Sequence, residues 1–441
     1  MFNIRLEEIL DKLPADELKD TLERFAAPML SRLPDRRLRE VVILAVQGIL
    51  AGQSPVIAKM AQSVSRLIGD PWPTAKRFYR MLDNPRFDHK TLLAGLYRIG
   101  RRTVLAAGKP YVAVAIDPVN FEKPYTEELE GVSRIYKSTP PDLNGGARIT
   151  RGYPAITATV VNTCVPAITY ANWFSYELNF ISENREIRQA IEQTRALLPA
   201  QPLRFLGDGG LDDRKVFRWM ADSEAQFVIR ARHLERRVEV YNAFSDRWEP
   251  EQLQDLVDTI LWQTTWKVAF THAGQTRLTT VKVGWLLIRL PKNQQRLWML
   301  VAERKDEEKP LVLLTNVPLE KGTQAREVYS SWRLRTRIEH GYRFDQEQGL
   351  DVEDVRVRTL ERMRRVFILV LLAAQFVFFV MDNWPATAVH WLRQLGGKLG
   401  LTTDRDGPYV LLCGISAVYQ TVATLTHLAI HPFPHQAFSC G

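Results

Sequence analysis

Two hydrophobic periods divide this chain. Over residues 1–100 the apolar positions recur at helical spacing, as in Leu38, Val41, Val42, Leu44, Ala45 and Ile49. Ser54 followed by Pro55 reads as a helix cap with proline at the first helical position. A third helical segment, TAKRFYRMLDN from Thr74, offers Phe78, Met81 and Leu82 for packing and Lys76, Arg77 and Arg80 to solvent. Three short helices ending in a basic one suit a helix-turn-helix-like DNA reader, and suit a plain bundle with a charged face equally.

At Tyr111 the period changes. YVAVAID reads as a short buried strand ending in an acid. A polar loop with Pro140, Pro141, Gly145 and Gly146 follows, then strands near 155–161 and 166–172 and a helix over 183–198. LRFLGD is a second buried strand ending in an acid, followed by a helix near 213–223 and a strand at 226–230. Strands alternating with covering helices predict a mixed α/β sheet. Residues 232–330 then read as mostly β, and helices return at 324–348 and 360–381.

The most apolar run, VFILVLLAAQFVFFVM from Val366 to Met381, is shorter than the roughly 20 residues that span a bilayer, and Gln375 interrupts it. It predicts a buried core helix. The opening MFNIRLEEIL is acidic and amphipathic, so no signal peptide and no membrane partner are expected.

Composition narrows the class. The chain has 441 residues, 46% hydrophobic and 25% charged, enough for several domains and neither disordered nor collagenous. Three widely spaced cysteines, Cys164, Cys413 and Cys440, make neither a zinc pattern nor a disulfide framework and fit a reducing cytoplasm. The formal net charge of +9 suits an anionic partner. The excess is concentrated. Residues 333–365 hold Arg333, Arg335, Arg337, Arg343, Arg356, Arg358, Arg362, Arg364 and Arg365, and no lysine. Arginine suits bidentate phosphate contacts, and the same run also fits a solvated helix face.

Three acids could carry chemistry. Asp117 and Asp208 each follow an apolar strand, where open α/β sheets place their sites. Such acids also commonly cap the next loop or helix. Glu339 lies on the predicted helix four residues after Arg335, on the same face. Two Asp and one Glu form a hard oxygen set suited to two Mg²⁺ or Mn²⁺ ions, which can activate water and stabilise the leaving oxygen of a phosphodiester.

The order of these parts, from about residue 35 to 380, resembles the insertion-sequence-four group of DDE transposases. The match runs through VAIDPVNF, FLGDGGLDD, FVIRAR, a β-rich insertion, an Arg-rich helix carrying Ile338 and Glu339, and QGLDVEDVRVR. The group's signature aligns with Trp332, Arg335, Glu339 and Gln346. Arginine and glutamate match, the aromatic lacks its hydroxyl in Trp332, and the family lysine is Gln346.

The resemblance implies an RNase H-like mixed-sheet catalytic core interrupted by a β-rich insertion, behind an N-terminal helical DNA-binding region. The expected divisions are residues 1–105 for DNA binding, 106–231 and 323–385 for the two parts of the core, 232–322 for the insertion, and 386–441 for a helical tail suited to dimerisation. It implies Asp117, Asp208 and Glu339 as catalytic metal ligands, and Arg335, Trp332, Gln346 and Arg343 at DNA phosphates. A tryptophan among Trp262, Trp266, Trp285 and Trp298 would hold a flipped base, although for any one of them a place in the β core is the more common role.

The implied activity is metal-dependent cleavage at transposon ends and strand transfer into target DNA, by cut-and-paste and in some relatives through a hairpin. The implied partners are double-stranded terminal inverted repeats, target DNA and a second copy of the chain, in the cytoplasm at the nucleoid. Two readings compete with it: a non-enzymatic DNA-binding protein derived from a transposase, and a metal-dependent nuclease without strand transfer. A membrane anchor built on 366–381 is a further alternative.

Overall fold

Capping and apolar spacing define the helical body at the start of the chain. In this computed structural model the described residues are 12–65, 70–123, 128–137, 146–272, 275–305, 307–337, 350, 352–397 and 407–430. Helix α1 (Ala15–Leu30) buries Leu18, Leu22, Phe25 and Met29 along one stripe. Asp35 caps α2 (Arg36–Gly52) by accepting from the Arg37 amide at 2.8 Å, and Gln53 closes the helix in the left-handed region at φ 48°. Helix α3 (Ile57–Ser65) follows the Ser54–Pro55 turn, bent by 92° from α2. Asp70 and Pro71 start α4 (Pro71–Asp83), and Asp88 caps α5 (His89–Ala107).

Among the described residues the sheet has twelve strands. In chain order they are β1 (Val112–Glu122), β2 (Ser133–Lys137), β3 (Arg148–Val160), β4 (Ala167–Trp173), β5 (Leu203–Gly207), β6 (Gln226–Arg230), β7 (Arg237–Asn242), β8 (Arg247–Gln252), β9 (Thr264–His272), β10 (Gln275–Arg289), β11 (Arg296–Arg304) and β12 (Leu311–Thr315). Their order is β2-β3-β1-β5-β6-β12-β11-β10-β7-β8, with β4 also on β3 and β9 also on β10. Strands β1, β5 and β6 run parallel and the other pairs are antiparallel. The fold is therefore mixed α/β with a large, mostly antiparallel sheet. The β-rich stretch after residue 232 does not form a separate sheet: β12 pairs with β6 and carries the central sheet onward.

Alternation along the strands sorts the two faces. Val114, Phe205 and Phe227 belong to the cluster under α6 (Glu183–Leu197) and α7 (Arg214–Asp222). Ala113, Ala115, Leu206 and Val228 belong to the opposite cluster, under α9 (Gly322–Arg333). A short helix, α8 (Leu253–Asp258), sits in a region the sequence reads as mostly β. Its six residues are too few to show a helical period.

Residues 366–381 fall inside α10 (Leu360–Asn383), which packs among α1, α2, α4, α5, α11 (Ala386–Gly396) and α12 (Pro408–Ile430). Among the described helices, α10 and α12 are long and apolar enough to cross a membrane; α10 is instead enclosed by these neighbours. Phe367 of α10 stacks on Trp173 at 4.7 Å, and Trp173 meets Phe121 at 4.4 Å, tying the helical body to the sheet. Such pairs add roughly 0.5–1.5 kcal/mol each beyond simple burial. Arg365, 8% exposed, donates from Nη1 to the carbonyls of Leu82 and Asn84, and Arg362 pairs with Asp83, so α4 is held against α10.

A second tie lies at the far end of β1. Lys123 is 2% exposed, and its Nζ donates to the carbonyls of Val352 at 2.8 Å, Glu353 at 2.6 Å and Val355 at 3.2 Å. Burial pushes this amine down to about 7, against the pull of Glu353 and Asp354.

Candidate active site

Strand register builds the site. Val112 faces Leu203 and Ala115 faces Leu206, so the parallel partners β1 and β5 are offset by 91 residues. Asp117 and Asp208 have the same offset and stand level on neighbouring strands. Gly207 faces Ile229, which brings Arg230 level with Asp208 on the next strand. All three lie two residues beyond Ala115, Leu206 and Val228, which face α9. Alternation therefore turns Asp117, Asp208 and Arg230 toward the same face.

Asp117 does not end its strand. β1 continues to Glu122, paired with β3 as Asp117 opposite Thr157. It is the parallel partner β5 that stops, at Gly207. The antiparallel ladder with β3 keeps satisfying the β1 backbone, which a reading of the apolar run alone does not reveal. Asp117 is 8% exposed and Asp208 is half-buried.

The run GDGGLDD assigns its three acids different work. Asp208 accepts from the Gly210 amide at 2.8 Å, capping a single 3₁₀ turn. Asp212 has no exposed side-chain surface; it accepts from the amides of Arg232 and His233 and pairs with Arg236 at 2.6 Å. Asp213 caps α7 through the Lys215 amide. Asp212 and Asp213 are thus occupied inside the fold, and Asp208 faces a cavity.

That cavity has a volume of about 660 Å³. Asp208, Arg230, Arg232, Lys309, Asp258 and Arg335 are among its lining residues. Four of these six carry positive charge, and together they make a basic wall around the carboxylates of Asp208 and Asp258. The sequence reading did not assign Arg230, Arg232 or Lys309 to the site. FVIRAR carries the one available signal, two arginines of period two at the end of a strand beside an acid-ended one.

The end of α9 roofs the acids. Arg335 Nη1 lies 3.7 Å from Asp117 Oδ1. Trp332 donates from Nε1 to the carbonyl of Gly207 at 3.1 Å, and Arg335 sits over its ring at 5.9 Å. Below them Arg204, 5% exposed in its side chain, reaches Glu327 at 2.8 Å, Gln226 at 2.7 Å and the Tyr111 ring at 4.0 Å. Arg337 donates to the carbonyls of Val161 and Thr163, which fixes the chain as it leaves α9. Glu339, Arg343 and Gln346 lie outside the described residues.

The predicted tryptophans separate by exposure. Trp266, Trp285 and Trp298 are half-buried against the cluster under α9, and Trp266 meets Tyr329 edge-on at 5.8 Å. Trp262 is 42% exposed beside Lys282. Elsewhere, Lys76, Arg77 and Arg80 are all exposed on α4, with Trp72 58% exposed beside Lys76.

Two carboxylates level on neighbouring parallel strands, about 5 Å apart by strand spacing, repel unless a cation is shared between them. Arg335 offsets part of that charge at Asp117. Two hard oxygen donors at such a spacing fit a divalent cation such as Mg²⁺. Among the described residues no group of three His, Cys, Asp or Glu side chains is gathered to complete a metal site.

No protein-family model matches the chain. No curated protein matches it either. Among solved structures, it is similar to a piggyBac transposase in a synaptic complex with hairpin DNA, seen by cryo-EM, at a TM-score of 0.43 and 8% identity, over 98% of this chain and 83% of that one.

Proposed function

We propose that this chain is a DNA transposase of the DDE type, cleaving DNA at the ends of its element and transferring the freed strand to a target. The observation that carries the reading is the register that sets Asp117 level with Asp208 under Arg335. The strand order β4-β3-β1-β5-β6, three antiparallel strands followed by two parallel ones, supports an RNase H-like core. The resemblance drawn from the sequence supplies Glu339 as the third acid.

In this reading Asp117, Asp208 and Glu339 hold two Mg²⁺ or Mn²⁺ ions. When bound, such ions lower the pKa of an attacking water or 3′-hydroxyl and neutralise charge on the leaving oxygen. The chain's own residues do the rest. Arg335, Arg230, Arg232 and Lys309 orient the phosphates around the reacting one. Trp332 fixes the Gly207–Asp208 turn, and Arg204 holds α9 over the strands. The exposed row Lys76, Arg77 and Arg80 on α4 takes the flanking duplex. A dimer on DNA, one copy at each end, is the proposed working form.

The test incubates purified protein with Mg²⁺ and labelled duplex carrying the repeats that flank its own gene. Glu339→Gln and Asp208→Asn variants run beside it. End-specific nicking, lost in both variants, and a strand-transfer product with target DNA are expected. Nicking without strand transfer would replace transposition with a plain nuclease. Metal-independent binding with no nicking would leave a DNA-binding protein only.

A further inference from the structure

We propose that Arg32, Arg98 and Arg102 form a second DNA-backbone site, on the α1–α5 side of the helical body and apart from both the acid pair and α4. The inference rests on DNA being the partner, as proposed above, and on no feature of the acid pair.

The geometry begins at a close helix crossing. A Cβ placed on Gly95 would lie 2.3 Å from Met29 Cγ and 2.9 Å from Met29 Cβ, so α5 passes α1 here with no room for a side chain. Arg98 follows one turn after Gly95 on α5, and Arg32, just past the end of α1, is close enough to act on it electrostatically. Arg98 and Arg102 are four residues apart and share a helix face.

Electrostatics at this crossing are one-sided. The charged groups that act on Arg98 are Arg32 and Arg102, and together with burial they hold its proton affinity below the ordinary arginine value. Arg98 Nη2 is buried and has no hydrogen-bond partner. A guanidinium nitrogen without an acceptor, beside two more guanidiniums, makes a place that favours an anion. Asp382 lines a neighbouring cavity with Arg24 and Arg102 and is not among the charged groups that act on Arg98.

Neighbouring arginines suit phosphate oxygens, because each planar fork can donate to two oxygens at once. The site makes no provision for a base edge: its reach is charge alone, so its grip is independent of sequence. A duplex whose end lies in the acid cavity would have its flank held by arginines elsewhere on the body.

The test uses the full-length protein with a 30-base-pair duplex of random sequence and one carrying the end repeat, read by fluorescence anisotropy over a salt series. Each phosphate contact contributes about −0.9 to the slope of log K on log salt. Replacing Arg32, Arg98 and Arg102 together with Gln is expected to flatten the slope by roughly 2–3 on both duplexes. The triple Lys variant is expected to keep most of it. Should the triple Gln variant melt below the wild type, the single variants Arg32→Gln and Arg102→Gln, both at exposed residues, are each expected to flatten the slope by about 0.9. An unchanged slope in a folded variant overturns the site and leaves the DNA reading standing. A loss confined to the repeat duplex overturns it too, since that is base reading. Failure of the wild type to bind either duplex overturns both readings.

Discussion

Asp117 and Asp208 are separated along the chain by the same 91 residues that offset their two parallel strands, so the ladder itself sets the carboxylates side by side. No loop has to fold correctly to bring them together. Fixing charge on adjacent strands of a buried sheet gives a rigid platform, and Arg335 at 3.7 Å lowers the cost of holding Asp117 there.

The pair should act as a unit. Asp117→Asn and Asp208→Asn each keep the shape and remove the charge that a cation would bind. Each is expected to lower Mg²⁺-dependent nicking by about a thousandfold or more, the effect of several kcal/mol of lost charge stabilisation. Duplex binding in EDTA should stay within about twofold, as the basic residues carry it. The double variant should be little worse than either single one. Nicking rates and anisotropy titrations on the same preparations decide it; additive losses would sink the shared site.

How α9 is held over the sheet leads to a prediction about charge. Arg204 is buried while Glu327 is about half-exposed. Removing Glu327 leaves a buried guanidinium with neutral partners, whereas Arg204→Met removes the buried charge and keeps much of the volume. Glu327→Ala is therefore expected to cost about 2–3 kcal/mol of unfolding free energy, discounted for its exposure, and Arg204→Met no more than that. Urea titrations of both variants test the order. A much larger loss in Arg204→Met would show that the stack on Tyr111, not the charge, holds the helix.

The platform was legible in the sequence because each acid follows an apolar run and the two runs pair in register. The helical body was legible from its apolar spacing: Leu38, Val42, Ala45 and Ile49 recur at helical intervals and line the buried face of α2. What was hidden depends on partners distant in the chain. Pairing with β3 extends β1 past Asp117, and no local pattern records it. Lys309 joins Arg230 and Arg232 at the cavity only because β12 pairs with β6. Asp212 and Asp208 look alike in GDGGLDD, and only the pairing of Asp212 with Arg236 tells them apart.

Lys123 makes stability depend on pH. The folded chain holds this amine deprotonated above about 7, while the unfolded chain keeps its proton to about 10.5. Between those values unfolding takes up a proton, so stability rises with pH, at up to roughly 1.4 kcal/mol per unit. Below the lower value the cost of charging the buried amine is paid in full and the dependence levels off. Lys123→Met fills the same space without titrating. Unfolding free energies of both chains at pH 7, 8 and 9 should converge or diverge by that slope; parallel profiles would mean that the three carbonyls keep the amine charged throughout.

Trp332 tests whether the roof over the acids works by aiming them. Its Nε1–H donates to the Gly207 carbonyl, one residue before Asp208, and its ring lies under Arg335. Trp332→Phe keeps an aromatic face for Arg335 but leaves that carbonyl without its donor. The stability cost should be small, about 1 kcal/mol, the net value of one hydrogen bond. The catalytic cost should be larger, because a carboxylate displaced by a fraction of an ångström no longer holds productive geometry. A tenfold or greater fall in nicking rate is therefore expected alongside unchanged duplex affinity. A Phe variant that loses affinity instead would place Trp332 against the DNA itself. One that loses nothing would show that Asp208 is held by its own Gly210 turn and needs no help from α9.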